Sequence, residues 1–217
     1  MNLAILVLLV SFFVILFLGG HISYAMIGSS ILTFFYLHLP PLQIVSALVD
    51  GIDGFTFLAI PFFILSGDIM ARGGISDRLI KLADAFVGWM RGGMSMVNIL
   101  ASLFFGGISG SATADTASLG AILIPMMKKK GYDGEFSTAV TMASSVEGML
   151  IPPSHNMIIY AMAAGGLSVS ALFMAGIIPG IVLAIALMIY SFYLSVKRNY
   201  PKGDKFSFSN LFKALGK

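Results

Sequence analysis

Cysteine is absent from the 217 residues, which excludes disulfides, thiolate metal sites and thiol nucleophiles. Charge is scarce as well: Asp, Glu, Lys and Arg make up 11% of the chain, and none occurs before Asp50. Against this stand 58% apolar residues and a mean hydropathy of +0.94. A soluble domain of this length cannot hide so much apolar surface, so the solvent is expected to be a lipid bilayer. The first apolar run, Leu3–Leu18, lacks a basic start and a small-residue cleavage site. It is too long and uniform for a signal peptide and is read as a retained span. There is no phosphate-binding glycine motif, no ATPase signature and no basic nucleic-acid patch, so neither an enzyme nor a nucleic-acid partner is expected. The 14 methionines read as packing or lipid-facing residues, not a metal box.

Candidate spans are Leu3–Leu18, Ile22–Leu39, Phe55–Met70, Glu135–Ala163 and Ser168–Val196. Each is near or above the ~20 apolar residues that cross ~30 Å of hydrocarbon. Between the third and fourth lie two shorter runs, Gly93–Phe105 and Ala112–Met127. At ~1.5 Å per residue each reaches only about 20 to 24 Å. Joined at GGISGS, residues 106–111, they read as a re-entrant helical hairpin. The expected fold is therefore all-α integral membrane, a multi-span helical bundle with a re-entrant hairpin and a broken helix.

Charge placement agrees. With a re-entrant hairpin, Arg72, Arg78, Lys81, Arg91 and Lys128–Lys130 share one face, joined by Lys197, Arg198, Lys202, Lys205, Lys213 and Lys217. The positive-inside rule makes that face cytoplasmic and puts the N-terminus outside; Asp50 and Asp53 fall on the opposite side. Two full spans in place of the hairpin would leave the same pattern. The Lys triplet itself is a topology anchor. Residues 76–90, SDRLIKLADAFVGWM, alternate apolar and charged faces at helical spacing between Gly73-Gly74 and Gly92-Gly93. They read as an amphipathic helix, either lying in the membrane interface with Trp89 at that depth or packed on the bundle.

The fourth candidate span is interrupted at Pro152 and Pro153, amid Ser144, Ser145, Glu147, Ser154, His155 and Asn156. Proline removes a backbone donor, and the freed carbonyls survive at membrane depth only inside protein or beside a wet cavity. Two interrupted segments so close in sequence suggest carbonyl and hydroxyl oxygens for a hard cation such as sodium, and helix N-termini for an anion. On this reading Ser109, Ser111 and Thr113 add neutral oxygens beside Gly110, while Asp115 or Glu147 balances charge or compensates a helix dipole.

Three motifs carry a resemblance: FLAIPFFILSGDIMARGGISDRLI (58–81), GGISGSATADTASLGAILIPMMKKKGYD (106–133) and ASSVEGMLIPPSHNMIIY (143–160). With them the chain, from about residue 3 to 200, resembles the DctM-type large membrane subunit of tripartite ATP-independent periplasmic (TRAP) transporters. The resemblance implies a sodium-coupled secondary transporter for organic anions such as C4-dicarboxylates or sialic acids, working by an elevator motion in a bacterial inner membrane. Implied partners are a small membrane subunit of DctQ type and a periplasmic binding protein of DctP type. It implies no bound cofactor besides Na+ as coupling ion. Carried over, the sodium site would draw on Ser109, Gly110, Ser111, Glu147 and Pro152, and the substrate site on Ser111, Thr113, Ser154 and Asn156. Asp115 and Pro153 would be structural. Residues 1–72 would be scaffold helices, 73–92 an arm helix, 93–164 hairpin and broken helix, 165–197 a further span and 198–217 a basic connector. Family members are about twice this long, with a second inverted repeat, so the chain is expected to be an N-terminal half lacking its C-terminal half.

Two other classes compete. Gly107-Ile108-Ser109-Gly110 matches the GxSG of rhomboid-type intramembrane serine proteases, with His155, or less plausibly His21 or His38, as base. A passive structural subunit would use the small residues only for close helix packing.

Overall fold

The computed structural model describes residues 3–52 and 55–203. Asp53 and the connector lysines Lys205, Lys213 and Lys217 lie outside the described residues, so the charge argument rests there on the sequence. The described residues are helical almost throughout and contain no named strand. They fall into two compact units, divided between Phe55 and Thr56.

The first unit holds α1 (Leu3–Phe17), α2 (Ile22–Tyr36) and α3 (Pro41–Ile52). Gly19, at φ +84°, ends α1, and Gly20 seats against Ile15. The buried residues of α2, Ala25, Ser29 and Thr33, recur every fourth position. Thr33 returns its hydroxyl to the Ser29 carbonyl at 2.7 Å, so the stripe buries no unmet donor. No apolar period marks residues 41–52, yet α3 there is a short helix opened by Pro41, whose missing N–H costs nothing at a first helical position. The apolar run that predicts a second span continues to Leu39, whereas the helix stops at Tyr36 and His38 turns the chain at φ +53°.

The second unit runs through α4 (Phe55–Arg72), α5 (Ile75–Val87), α6 (Gly93–Ser109), α7 (Ala112–Lys129), α8 (Gly134–Ser145), α9 (Glu147–Leu150), α10 (His155–Ala163) and α11 (Val169–Lys197). Its centre is α6, with 12 of 17 residues buried, so protein surrounds it on more than one side. Val97, Ile99, Ala101 and Phe105 of α6 join Leu119, Leu123 and Met127 of α7, Phe136 and Val140 of α8, and Ile80 and Ala83 of α5 in one core. The amphipathic stretch expected at 76–90 is α5, with Ser76, Ile80 and Ala83 inward and Asp77, Lys81 and Asp84 outward.

α11 is built differently. Its buried residues are all small: Gly176, Gly180, Ala184, Ser191 and Ser195. Met174, Ile178, Val182, Ile185 and Ile189 point outward and are exposed. Small residues on one stripe let helices approach closely in lipid, while the large apolar ones face the tails. Gly176 packs on Leu150 and Met157, Gly180 on Ile151, and Ser191 donates to Ser95 of α6 at 2.7 Å. Among the described residues α11 alone is both long and apolar enough to cross a membrane; α1, α2 and α6 are apolar but shorter, at 15 to 17 residues. The candidate span Glu135–Ala163, expected to break at Pro152 and Pro153, does so, and a further interruption at Val146 divides it into α8, α9 and α10.

At one end of this unit, Tyr132, Phe136 and Tyr200 stack, and Asp133 accepts from the Tyr200 hydroxyl at 2.5 Å and from Arg198 at 2.8 Å. Residues after α11 then return to the start of α6: Gly92 N–H donates to Pro201 O, and Arg91 reaches Asn199. The corner between α7 and α8, the foot of α6 and the exit of α11 are thereby tied together.

Candidate functional site

Two interruptions build the site. The first is the turn Gly110-Ser111 between α6 and α7. Gly110 takes φ +59°, which lets α6 end and the chain reverse within two residues. Ser111 caps α7, accepting weakly from Ala114 N–H at 3.4 Å and sharing a 3.0 Å bond with Thr113 Oγ1. The Ser111 N–H donates to Ser109 Oγ at 3.3 Å.

The second is the segment 151–154. Ile151 and Ser154 are extended, and the Pro152–Pro153 peptide is cis. Two prolines cannot continue the i to i−4 ladder, so α9 ends at Leu150 and α10 restarts at His155. α10 begins without a side-chain cap: the Ser154 hydroxyl is fully buried and has no hydrogen-bond partner.

The two interruptions meet. A Cβ added to Gly107 would lie 3.4 Å from Pro152 O; one on Gly110 would lie 2.8 Å from Pro153 O and 3.1 Å from the Ser154 Cα. Behind the turn Gly106 and Gly148 touch through their main chains. At Gly106 and Gly110 an added methyl would come within 3.0 Å of main-chain atoms, so glycine lets the turn seat on the proline segment, while Gly107 has room for ordinary contact. The structure thus brings together Ser109, Gly110, Ser111, Pro152, Pro153 and Ser154. It leaves Thr113 and Asn156 exposed at the first turns of α7 and α10.

Asp115 and Glu147 lie just inside this contact. Both are 0% exposed, and none of their four carboxylate oxygens has a hydrogen-bond partner. Asp115 Oδ2 is 3.9 Å from a Cβ built on Gly148, and the two carboxyl groups are within electrostatic reach of each other. Ser102 and Ser145 flank Asp115, but their hydroxyls are engaged with Ser144 and with the Thr141 carbonyl. Carboxylates buried without partners are costly unless a proton or a cation joins them. Main-chain carbonyls, hydroxyls and carboxylates together make an oxygen-rich donor set that suits a hard cation. No group of three or more His, Cys, Asp or Glu side chains able to hold a metal occurs among the described residues.

Two serines expected at the break serve elsewhere. Ser144 donates to Thr141 O at 3.1 Å and bonds Ser102 at 3.0 Å, while Asn98 donates to Thr141 Oγ1 at 2.6 Å. These residues form a polar seam between α6 and α8. Sequence reasoning missed Asn98, Ser102 and Thr141. A signal was available: Ser95, Asn98, Ser102, Gly106 and Ser109 recur on one face of an otherwise apolar run. It also missed Gly67 of α4, whose Cβ would lie 3.4 Å from Ile108 O and the Ser109 Cα. The protease geometry is not formed: Ser109 accepts from the Ser111 amide, and His155 Nδ1 has no partner.

A buried helical pair whose turn seats on a proline break defines a membrane protein with discontinuous helices. Comparison with known proteins names the family. Residues 9–217 match the family model described as "Tripartite ATP-independent periplasmic transporter, DctM component", and the chain belongs to that family. It is 46% identical over 205 residues to the uncharacterised protein YgiK of Salmonella typhimurium, covering 93% of this chain and 47% of that one. It is 39% identical over 206 residues to the sialic acid TRAP transporter permease protein SiaT of Haemophilus influenzae, covering 93% and 33%. It is 35% identical over 196 residues to the C4-dicarboxylate TRAP transporter large permease protein DctM of Rhodobacter capsulatus, covering 83% and 44%. The chain therefore spans less than half the length of these relatives. The family is one of transporters rather than enzymes and makes the chain a multi-pass inner-membrane protein.

Proposed function

We propose that residues 1–217 form one repeat of the large permease subunit of a sodium-coupled transporter for organic anions. The observation that carries this is the seating of Gly107 and Gly110 on the carbonyls of Pro152 and Pro153, with Asp115 and Glu147 buried and unpartnered behind them. In this reading α6 and α7 enter and leave the membrane on one side as a re-entrant hairpin. Sodium is held where the two interruptions meet, by oxygens of Ser109, Gly110, Ser111 and Pro152 with Glu147 in support. The bound ion supplies the positive charge that the buried carboxylates lack. It also draws the hairpin turn onto the proline break, which couples ion binding to the shape of the adjoining substrate half-site of Ser111, Thr113, Ser154 and Asn156.

The remaining half of the pocket comes from a second repeat, as the length of the relatives supports. Relatives named for sialic acid, 2,3-diketo-L-gulonate and C4-dicarboxylates support an organic acid as cargo. The family name supports a periplasmic binding protein as donor and a small membrane subunit as companion. Residues 1–72 act as scaffold, 73–92 as arm and 93–164 as the moving part, leading through the 165–197 span to a cytoplasmic connector at 198–217. The lysine- and arginine-rich face is cytoplasmic and the N-terminus is outside.

The cysteine-free background makes the test direct. Ser111→Cys in lipid nanodiscs is alkylated by a maleimide in sodium chloride or in potassium chloride at equal ionic strength. Sodium slows the reaction several-fold. Equal rates in the two salts overturn the sodium assignment.

A further inference from the structure

At the foot of α6, beside the stacked Tyr132 and Tyr200, lies a cavity of about 280 Å³. It falls just below the ~300–1,000 Å³ of ordinary small-molecule pockets, which suits a lipid headgroup better than a whole organic ligand. Three segments wall it: Gly88 with the start of α6, Lys130 and Tyr132 at the α7–α8 corner, and residues 201–203 after α11. Main-chain bonds hold the last segment in place, Gly92 N–H to Pro201 O at 3.1 Å and Gly203 N–H to Met90 O at 3.4 Å.

The outward face of α11 sets the depth of this cavity. Val182, Ile185 and Ile189 are exposed and apolar; Tyr190 and Tyr193 are then 61% and 59% exposed, and Lys197 and Arg198 follow. Exposed Trp and Tyr gather where hydrocarbon meets headgroups. Exposed Phe86 and Trp89, on either side of Gly88 in the chain, repeat the pattern. Residues 201–203 come directly after that belt, at headgroup level.

The charges decide what fits. Lys130 and Lys202 line the cavity and no acid does. Among the described residues neither lysine has an ion-pair partner. Arg91 faces Lys202 across a main-chain bridge, and its Nε is buried without a partner. Of the acids nearby, Asp133 accepts from Tyr200 and Arg198, and Asp84 lies against Gly88 at the end of its own helix, off the lining. Asp204 lies outside the described residues. Each lysine ammonium offers three donors, and a phosphate group accepts from several at once. Basic pockets between membrane helices at this level take anionic headgroups.

Going beyond the transport reading, the geometry points to this cavity as a binding site for the phosphate of an anionic phospholipid of the phosphatidylglycerol type, held by Lys130 and Lys202. A zwitterionic headgroup brings a cation of its own against two lysines and is disfavoured. The bound phosphate neutralises both lysines together and so joins the α7–α8 corner to the chain leaving α11.

Trp89 is the sole tryptophan and reports on this edge of the molecule. The 217-residue chain is placed in phosphatidylcholine vesicles doped with pyrene-labelled phosphatidylglycerol or pyrene-labelled phosphatidylcholine. Energy transfer from Trp89 reads their relative association. The anionic lipid is favoured about 5- to 30-fold, the scale of one to two lysine contacts at the membrane surface. Lys130→Gln with Lys202→Gln brings the ratio close to unity. Lys129→Gln with Lys197→Gln removes the same charge from outside the lining and keeps most of the preference. All four lysines are exposed, so the core is undisturbed. Unlabelled phosphatidylglycerol, displacing the label from the unsubstituted chain more effectively than phosphatidylcholine, gives the same ranking without any variant. Equal association of the two labelled lipids, a preference that survives loss of Lys130 and Lys202, or one lost equally in the control pair overturns the inference. Release of the labelled lipid by inorganic phosphate at matched ionic strength overturns it too, by assigning the site to a soluble anion. Sodium protection of Ser111→Cys tests the transport reading separately and is unmoved by either lysine pair.

Discussion

Gly106 of α6 and Gly148 of α9 meet main chain to main chain: a Cβ on Gly148 would stand 3.1 Å from the Gly106 Cα. Neither helix can yield cheaply, because the neighbouring atom is backbone rather than the end of a flexible side chain. The contact sets how deeply the hairpin turn sinks onto the proline break. Gly148→Ala is therefore expected to cost ~1–3 kcal/mol of stability, the usual range for overpacking. Unfolding in detergent micelles measures it. Gly51→Ala, on α3 with nothing within 4 Å of the added methyl, serves as the control and is neutral or mildly stabilising.

The α6–α8 seam makes a second prediction. Asn98 Nδ2 donates to Thr141 Oγ1 at 2.6 Å in a site where both residues are 0% exposed. Removing Asn98 leaves the buried Thr141 hydroxyl only its bond to the Ser137 carbonyl at 2.8 Å, with its acceptor side unmet, whereas removing both polar groups can be nearly neutral. Asn98→Leu is expected to destabilise by ~1–3 kcal/mol, and adding Thr141→Val to recover part of that loss. A double-mutant cycle of unfolding free energies reads the coupling; strict additivity would refute it.

The third concerns Asp133. The Tyr200 hydroxyl, and after it Arg198, hold its carboxyl below the ordinary aspartate value of 3.8. A lowered folded-state pKa means the contribution is complete above that ordinary value and is lost as pH falls through the lowered one. The side chains of Arg198 and Asp133 are 45% and 58% exposed, so water screens the pair and the effect is small. Wild-type chain is expected to lose stability on acidification below about pH 4, while Asp133→Asn is slightly weaker at neutral pH and flatter in the acid window. Thermal scans across that window separate the two.

Much of the helix plan could be read in the residues because its determinants are local. Apolar period marks α5, glycine with serine marks the α6–α7 turn, and paired prolines mark the gap before α10. The errors share a cause. Residues 41–52 are a short helix of mixed polarity, too weak in period to stand out. Sequence distance alone puts Ser144 and Ser145 with the nearby break, yet from α8 they bond Ser102 and the Thr141 carbonyl. Neither Gly67 nor Gly148 offered any sign of what it would touch. A residue without a side chain says that something comes close and nothing about what.

By itself, then, the sequence determined the lipid environment, the family, most of the helices and the two places where helices cannot continue. Each follows from composition or from backbone chemistry acting over a few residues. Tertiary structure alone decided that the glycine turn rests on the carbonyls of Pro152 and Pro153 and that Asp115 and Glu147 are sealed together without partners. It alone decided that Lys130 and Lys202 line one cavity at the foot of α6. Those relations join segments tens of residues apart, and close packing of main chain on main chain chooses them, which no local propensity encodes.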